Sequence, residues 1–165
     1  MKLQVAGFLD NSLVNGKGFR SVIFVSGCNH NCPGCQNKCM QDFSYGSEVQ
    51  IEEILDRIKN NKPIIKGVTF SGGEPFENAE GLLELAKDIK KMDLNLWCYT
   101  GFTYEEILKS KDEYKIELLK NMDVLVDGKF KEELKENAKK YTGSRNQRVI
   151  DVKESLKKNM VVTLD

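Results

Sequence analysis

Residues 26–37 read SGCNHNCPGCQN, which places Cys28, Cys32 and Cys35 within eight positions. Clustered cysteine thiolates are the usual ligands of structural zinc and of iron–sulfur clusters. Structural zinc commonly takes its four protein ligands as two separated pairs, and the chain has no second Cys-x2-Cys pair. The spacing therefore favours a 4Fe-4S cluster held by three cysteines, whose fourth iron is open to bind another molecule.

Two further side chains keep other kinds of site open. Cys39 or His30 would complete a four-ligand set, giving either a zinc-stabilised binding module or a fully ligated cluster that only carries electrons. We expect His30, the single histidine, to be a loop residue and Cys39 to lie outside the ligand set. Cys98 and Trp97 belong to an apolar strand, and we expect both in the core.

The composition narrows the class of protein. The 165 residues suffice for one domain, and the 25 basic and 25 acidic residues are interleaved, which argues against a nucleic-acid partner. The amino-terminal segment lacks the features of a signal peptide, and no apolar run approaches the roughly 20 residues that span a bilayer. Five cysteines, four of them crowded together, suit a metal site better than disulfides. We expect a cytoplasmic protein without membrane contact.

Short apolar runs alternate with amphipathic segments along the chain. Strands are expected at 22–25, 64–70, 94–99, 124–126, 148–152 and 160–164. Helices are expected from a Ser47–Gln50 capping box to Lys62-Pro63, over 78–91, over 103–121 from a Thr103–Glu106 capping box, over 131–140, and briefly before the last strand. Asn15-Gly16-Lys17-Gly18 lacks the third glycine and the preceding strand of a dinucleotide fingerprint, so it predicts a turn before the first strand.

This alternation predicts an α/β fold with a mostly parallel sheet of five or six strands. A closed eight-stranded barrel takes about 250 residues, so we expect an open partial (β/α) barrel. Ligands of such folds bind at the carboxyl ends of the strands. Here those ends carry SGC, SGGEP, YTG and VDGK.

The motifs also resemble a known family. SGCNHNCPGCQN, SGGEPF, WCYTGFTYEE, VLVDGKF and GSRNQRVID follow one another across nearly the whole chain. Together they resemble the radical S-adenosylmethionine (SAM) superfamily and, within it, the activating proteins of anaerobic (class III) ribonucleoside-triphosphate reductases. One departure is Gly34, because many superfamily members carry an aromatic residue just before the third cysteine.

The resemblance implies a single radical SAM domain over residues 1–165, with a partial barrel of the radical SAM type. It implies that a reduced 4Fe-4S cluster splits SAM into methionine and a 5′-deoxyadenosyl radical. That radical would abstract the α-hydrogen of a glycine on the anaerobic reductase, and flavodoxin or ferredoxin would supply the electron. An open side of the barrel would admit the protein substrate, because a glycine inside another protein must reach the radical.

The resemblance also assigns residues. It implies that Cys28, Cys32 and Cys35 bind iron. The residues that it implies at the cofactors are Gly34, Cys35, Gln36, Gly72, Gly73, Glu74, Asp127 and Lys129. Glycines let the backbone approach SAM, Glu74 offers an acceptor for its ammonium group, and Lys129 suits its carboxylate. The run Gly143–Arg148 is expected near the cofactor or the protein substrate.

A second enzymatic hypothesis remains open. A radical SAM enzyme that acts on a small molecule, such as a 7-carboxy-7-deazaguanine synthase, also has a short barrel. Turnover of a nucleotide analogue without a protein partner would favour this hypothesis.

Overall fold

The computed structural model describes residues 1–164, and seven strands of that range form one mixed sheet. The strands are β1 Lys2–Ser12, β2 Arg20–Val25, β3 Ser47–Gln50, β4 Gly67–Gly72, β5 Asn95–Tyr99, β6 Val124–Asp127 and β7 Arg148–Asp151. Their order across the sheet is β3-β1-β2-β4-β5-β6-β7. The α-helices are α1 Ile51–Asn61, α2 Ala79–Lys91, α3 Tyr104–Lys109, α4 Glu113–Lys120 and α5 Val152–Lys158. Within residues 1–164 no helix combines the length and the apolar composition needed to cross a bilayer.

The sheet is parallel at its centre and antiparallel at both edges. Strands β2, β4, β5 and β6 pair in parallel, whereas β1 pairs antiparallel with β2 and β3, and β7 pairs antiparallel with β6. The predicted α/β class is confirmed. The predicted count of five or six strands and the mostly parallel pairing are wrong, because the edge strands join antiparallel and need no crossover helix.

Strand β1 was missing from the sequence prediction. Its register against β2 shifts between Val5 and Gly7 and again between Leu9 and Ser12. Such irregularities interrupt the alternation of apolar and polar residues by which a strand is recognised. The turn at residues 15–18 therefore joins β1 to β2 instead of preceding the first strand.

One of the two predicted capping boxes starts a helix, and the other is lost to strand pairing. The Thr103–Glu106 capping box is formed. The predicted Ser47 box is wrong, because residues 47–50 pair with β1 as β3 and α1 begins at Ile51.

Two predicted elements near the carboxyl end are also wrong. Segment 131–140 contains only a short 3-10 helix, Glu132–Leu134. It has few apolar residues to bury, and helices without a packed face are marginal. The predicted last strand is reduced to a bridge between Ile150 and Thr163.

The two faces of the sheet carry different cores. Alternate residues such as Phe70, Cys98 and Leu125 pack against the helices in one large cluster. The other face carries a smaller cluster of strand residues that includes Trp97 and Val126, with Tyr141 packed against it. The predicted core positions of Cys98 and Trp97 are confirmed, at 0% and 4% exposure.

A surface ion pair between Asp10 and Arg57 links β1 to α1. Arg57 donates to Asp10 from Nε (2.8 Å) and Nη2 (3.1 Å), and these bonds lower the Asp10 pKa from 3.8 to about 2. A pKa lowered by folding stabilises the fold above pH 4 or so, and this contribution is lost as the pH falls toward 2. Both side chains are half exposed, so we expect the ion pair to contribute only about 0.2–1 kcal/mol to the free energy of unfolding.

Arg57→Gln is expected to return the Asp10 pKa toward 3.8. Carboxyl NMR titration would measure this change. A titration midpoint still near 2 would show that the hydrogen bond from Asn61 controls this carboxyl instead.

Candidate metal centre

The sequence motifs meet at the edge of the sheet where the parallel strands end. The cysteine loop, residues 26–37, follows β2, and the glycine turn, residues 71–75, begins in the last two residues of β4. Residues 100–101 follow β5, and residues 128–129 follow β6. Together they surround a cavity of about 210 Å³. Its lining includes Cys28, Cys32, Cys35, Gly72, Gly73 and Gly128.

The cysteine loop is held between the segment that follows it and strand β1. Gly27 N donates to Met40 O over 2.8 Å, and Cys28 N donates to Gln41 O over 3.1 Å. Gln4 Nε2 in β1 donates to Tyr45 O over 2.9 Å and so anchors the far end of that segment. The loop is therefore supported by strand residues distant in sequence.

Of the three predicted cofactor residues in the cysteine loop, two line the cavity and one does not. Cys35 and Gln36 line the cavity. Gly34 is exposed at a turn with φ of 74°, a left-handed conformation that glycine adopts without strain. A Cβ at Gly34 would meet only the end of the flexible Glu132 side chain, so the positive φ, more than packing, favours glycine there.

Burial governs the protonation of two of the thiols. It raises the pKa of Cys28 and of Cys32 above 9.0, opposed by backbone hydrogen bonds from His30 and Phe130 respectively. Both thiols are therefore protonated at neutral pH in the metal-free protein. Iron binding by these two thiols would have to release the protons, because thiolates are the form that binds metal.

The donor set fits an iron–sulfur cluster better than a single ion. Within residues 1–164, no three His, Cys, Asp or Glu side chains converge closely enough to hold one metal ion. A cubane cluster has a different requirement, because each thiolate binds its own iron. Cys39 is exposed beside the Tyr45 hydroxyl, and His30 is bonded to Glu74. Three thiols thus face the cavity. Of the two alternative ligands, Cys39 lies outside it, and His30 lines it with its Nε2 bonded to Glu74.

The two glycines of the turn make the close contact between the turn and the cysteine loop. Gly73 N donates to Val25 O, and Glu74 N donates to Gly27 O, each over 2.7 Å. A Cβ at Gly73 would lie 2.6 Å from the carbonyl oxygens of Gly27 and Met40. The absence of side chains at this turn therefore serves the protein's own packing as well as access to the cavity.

Glu74 lies beneath the cavity and is fully buried. Its carboxylate accepts from Thr100 Oγ1 (2.8 and 2.9 Å), Gly101 N (2.7 Å) and Phe76 N (2.9 Å), and pairs with His30 Nε2 (2.6 Å). Both oxygens are thus occupied by partners within the protein. This arrangement departs from the expected role of Glu74 as an acceptor for a ligand.

His30 is the site residue that the sequence prediction missed. It was expected to be an ordinary loop residue, yet its side chain lines the cavity and is only 9% exposed. Its partner Glu74 lies 44 positions away, and no spacing pattern connects the two. The only available signal was the location of the single histidine inside the cysteine loop.

Asp127 and Lys129 have different surroundings. Asp127 shares the helix-facing side of β6 with Leu125, where it accepts from Tyr104 N (2.8 Å) and from Arg148 Nε (3.0 Å) and Nη2 (2.6 Å). It therefore points away from the cavity. Lys129 is exposed in a neighbouring polar groove, and its charge lowers the pKa of Cys32, although burial outweighs it.

The run Gly143–Arg148 fastens the loop after β6 to β7. Gln147 Nε2 donates to Gly128 O (2.9 Å), and Asn146 Nδ2 donates to Lys129 O (2.8 Å). The fully buried Ser144 accepts from Lys131 N over 3.1 Å. Gly143 and Gln147 also line the cavity, so the run contributes both structure and lining.

A larger and more apolar cavity, about 560 Å³, lies on the sheet face that carries Trp97, and none of the three thiols lines it. Trp97, Tyr141 and Val149 form its wall, and Lys17 and Lys140 are at its margin. Both cavities touch strand β5. Trp97 lines the apolar cavity, and Tyr99, the next residue on the same face of the strand, lines the thiol cavity.

Known proteins are similar to this chain in sequence or in fold. Residues 14–150 match the 4Fe-4S single cluster domain family. The chain is 34% identical to the anaerobic ribonucleoside-triphosphate reductase-activating protein of Haemophilus influenzae, over 85% of this chain and 92% of that protein. The protein of the same name from Escherichia coli K12 is 32% identical to this chain, over 82% of this chain and 90% of that protein. The crystal structure of QueE from Escherichia coli superposes with a TM-score of 0.53 at 19% identity, over 62% of this chain and 54% of that one.

Proposed function

Because the chain belongs to the family of anaerobic ribonucleoside-triphosphate reductase-activating proteins, we propose that it installs a glycyl radical on such a reductase by cleaving SAM. The observation that carries this proposal is the set of three thiols around one cavity, with Cys39 outside that cavity and the His30 imidazole bonded to Glu74. The likeness to QueE supports the fold alone, and no observation here favours a small-molecule substrate.

In this proposal Cys28, Cys32 and Cys35 hold a 4Fe-4S cluster. When bound and reduced, the cluster supplies the electron that splits SAM into methionine and a 5′-deoxyadenosyl radical. The chain's own contribution is to bind, orient and shield the reactants. Flavodoxin or ferredoxin is the proposed electron donor.

Backbone groups, more than side chains, are proposed to contact SAM. Gly72 and Gly73 line the cavity without a Cβ, and Cys35 and Gln36 line it from the opposite loop. Lys129 is the proposed partner of the SAM carboxylate, because it lies in the groove that shares Gly128 with the thiol cavity. Glu74 and Asp127 are proposed to support these groups from below, since both are buried and hydrogen-bonded within the protein.

The proposed domain is one radical SAM unit over residues 1–165, with the sheet as an open partial barrel. Supporting this, the helices pack on one face only, and the edge strands β3 and β7 are not paired with each other. The face with Trp97 is thereby left uncovered by helices. A segment of the reductase is proposed to approach the radical from this face, because the apolar cavity there adjoins the thiol cavity.

The proposal predicts three products from one reaction. Anaerobically reconstituted protein with reductant, SAM and the reductase should give methionine, 5′-deoxyadenosine and a glycyl doublet in the electron paramagnetic resonance (EPR) spectrum. A reaction without SAM is the control and should give none of them. SAM cleavage without the doublet, on a reductase known to be competent, would redirect the search to another substrate.

A further inference from the structure

The contacts of His30 connect the cysteine loop to two other loops of the site. Resting on the proposed function, we propose that His30 is a positioning residue for SAM binding. Its imidazole, anchored on the buried Glu74 carboxylate, fixes the cysteine loop against the glycine turn. The iron-binding thiols and the SAM-contacting backbone then share one geometry.

The first support is the hydrogen bond itself. His30 Nε2 lies 2.6 Å from Glu74 Oε1, and the two side chains are 9% and 0% exposed. A carboxylate only accepts, so Nε2 carries the hydrogen. Charge-assisted bonds between buried groups are stronger than neutral ones. This bond ties the loop after β2 to the turn after β4.

The second support is the packing of the ring. The imidazole meets the Phe102 ring edge-on, with centroids 4.6 Å apart and planes at 75°. On another side lies Gly101, where a Cβ would come within 2.5 Å of His30 Cδ2. The ring is therefore confined by the turn after β5. Its position depends on how the segments after β2, β4 and β5 are placed relative to one another.

The third support is how Glu74 uses its oxygens. Besides His30, they accept from Thr100, Gly101 and Phe76. An ammonium group from SAM would have to displace one of these donors. Glu74 is thus built to hold protein groups in place, and its influence on SAM passes through His30 and the adjacent backbone.

The fourth support is the scarcity of alternatives. Among the residues that the structure describes, only two side-chain hydrogen bonds join residues 28–37 to the glycine turn. The other one runs from Asn37 Nδ2 to Gly72 O and is long, at 3.3 Å. Without the His30 bond, the loop keeps its backbone bonds to Met40, Gln41 and Glu74 N but loses its side-chain bond to the Glu74 carboxylate.

The experiment compares His30→Phe, which keeps a ring beside Phe102, with His30→Gln, which keeps an N–H donor. Cys39→Ser is the matched control, because Cys39 is exposed outside the cavity. Each protein is measured as apoprotein by thermal unfolding, and as reconstituted holoprotein by iron content, SAM dissociation constant and the EPR change that SAM produces. Glu74→Gln and the double variant His30→Phe/Glu74→Gln complete the set.

We expect His30→Phe to fold and to bind iron, because Glu74 keeps three other donors. Its SAM dissociation constant should rise about tenfold or more, with a diminished EPR response to SAM, and His30→Gln should restore most of both. The double variant should bind SAM more tightly than the product of the two single effects predicts, because part of the Glu74→Gln effect passes through the bond that His30→Phe has already removed.

Several results would overturn the inference. Unchanged SAM binding and EPR response in His30→Phe would do so, as would multiplied effects in the double variant or a His30→Gln protein no better than His30→Phe. If His30→Phe fails to fold, a His30→Gln protein with wild-type SAM affinity still supports the inference and one with weakened affinity refutes it. Failure of the wild type to cleave SAM would instead refute the proposed function.

Discussion

Alanine in place of any one of Cys28, Cys32 or Cys35 is expected to lower SAM cleavage more than about a thousandfold, to the background rate. Three thiols face the cavity, Cys39 lies outside it, and the His30 imidazole is held by Glu74. Each variant should also retain less iron after anaerobic reconstitution. Iron and sulfide analysis, together with the yield of 5′-deoxyadenosine, would measure both effects.

Cys39→Ser is the control for that series and should keep both the cluster and the activity. The Cys39 thiol lies at the surface beside Tyr45, away from the cavity. Loss of iron from the Cys39 variant would contradict the ligand assignment. Retained SAM cleavage in an alanine variant of the triad would contradict it equally.

Arg148→Ala is expected to cause the largest loss of stability. It leaves the Asp127 carboxylate, which is 1% exposed, without its bidentate partner. Removing one member of a buried pair typically costs about 3–5 kcal/mol. Arg148 is 31% exposed, so water replaces part of the interaction, and we expect about 2–3 kcal/mol. The unfolding midpoint should fall by roughly 4–12 °C.

Arg145→Ala is the matched control, because it removes the other arginine of the same run. Arg145 is exposed, and its guanidinium forms no ion pair within residues 1–164. Its unfolding midpoint should stay within about 1–2 °C of the wild type. Equal midpoints for the two variants in differential scanning calorimetry would show that the pair with Asp127 contributes little.

Local patterns predicted those parts of the fold that local forces determine. The apolar periodicity of α1 and α2 anticipated their buried faces, including Ile54 and Leu85, because a helix must bury one stripe. The Ser47 capping box failed although its spacing matched that of the Thr103 box. Residues 47–50 pair with β1 instead of capping a helix, and a local sequence pattern does not reveal pairing with a distant strand.

The candidate site divides in the same way. The cysteine spacing and the two glycines were visible in the sequence because each lies within one short loop. The roles of Glu74, Asp127 and His30 were not, since each depends on a partner from another strand end. Asp127 faces the helices because of the alternation along β6, and Arg148 reaches it only after β7 has paired antiparallel.

The anchoring of the cysteine loop on β1 has a consequence for biogenesis. The bond from Gln4 to Tyr45 joins residues 41 positions apart, and β1 also pairs with β3 beyond the loop. Such non-local contacts form late, because chain closure must precede them. On the proposed function, iron would therefore be delivered to a nearly finished scaffold, because the pocket is complete only once the polypeptide's first strand has docked.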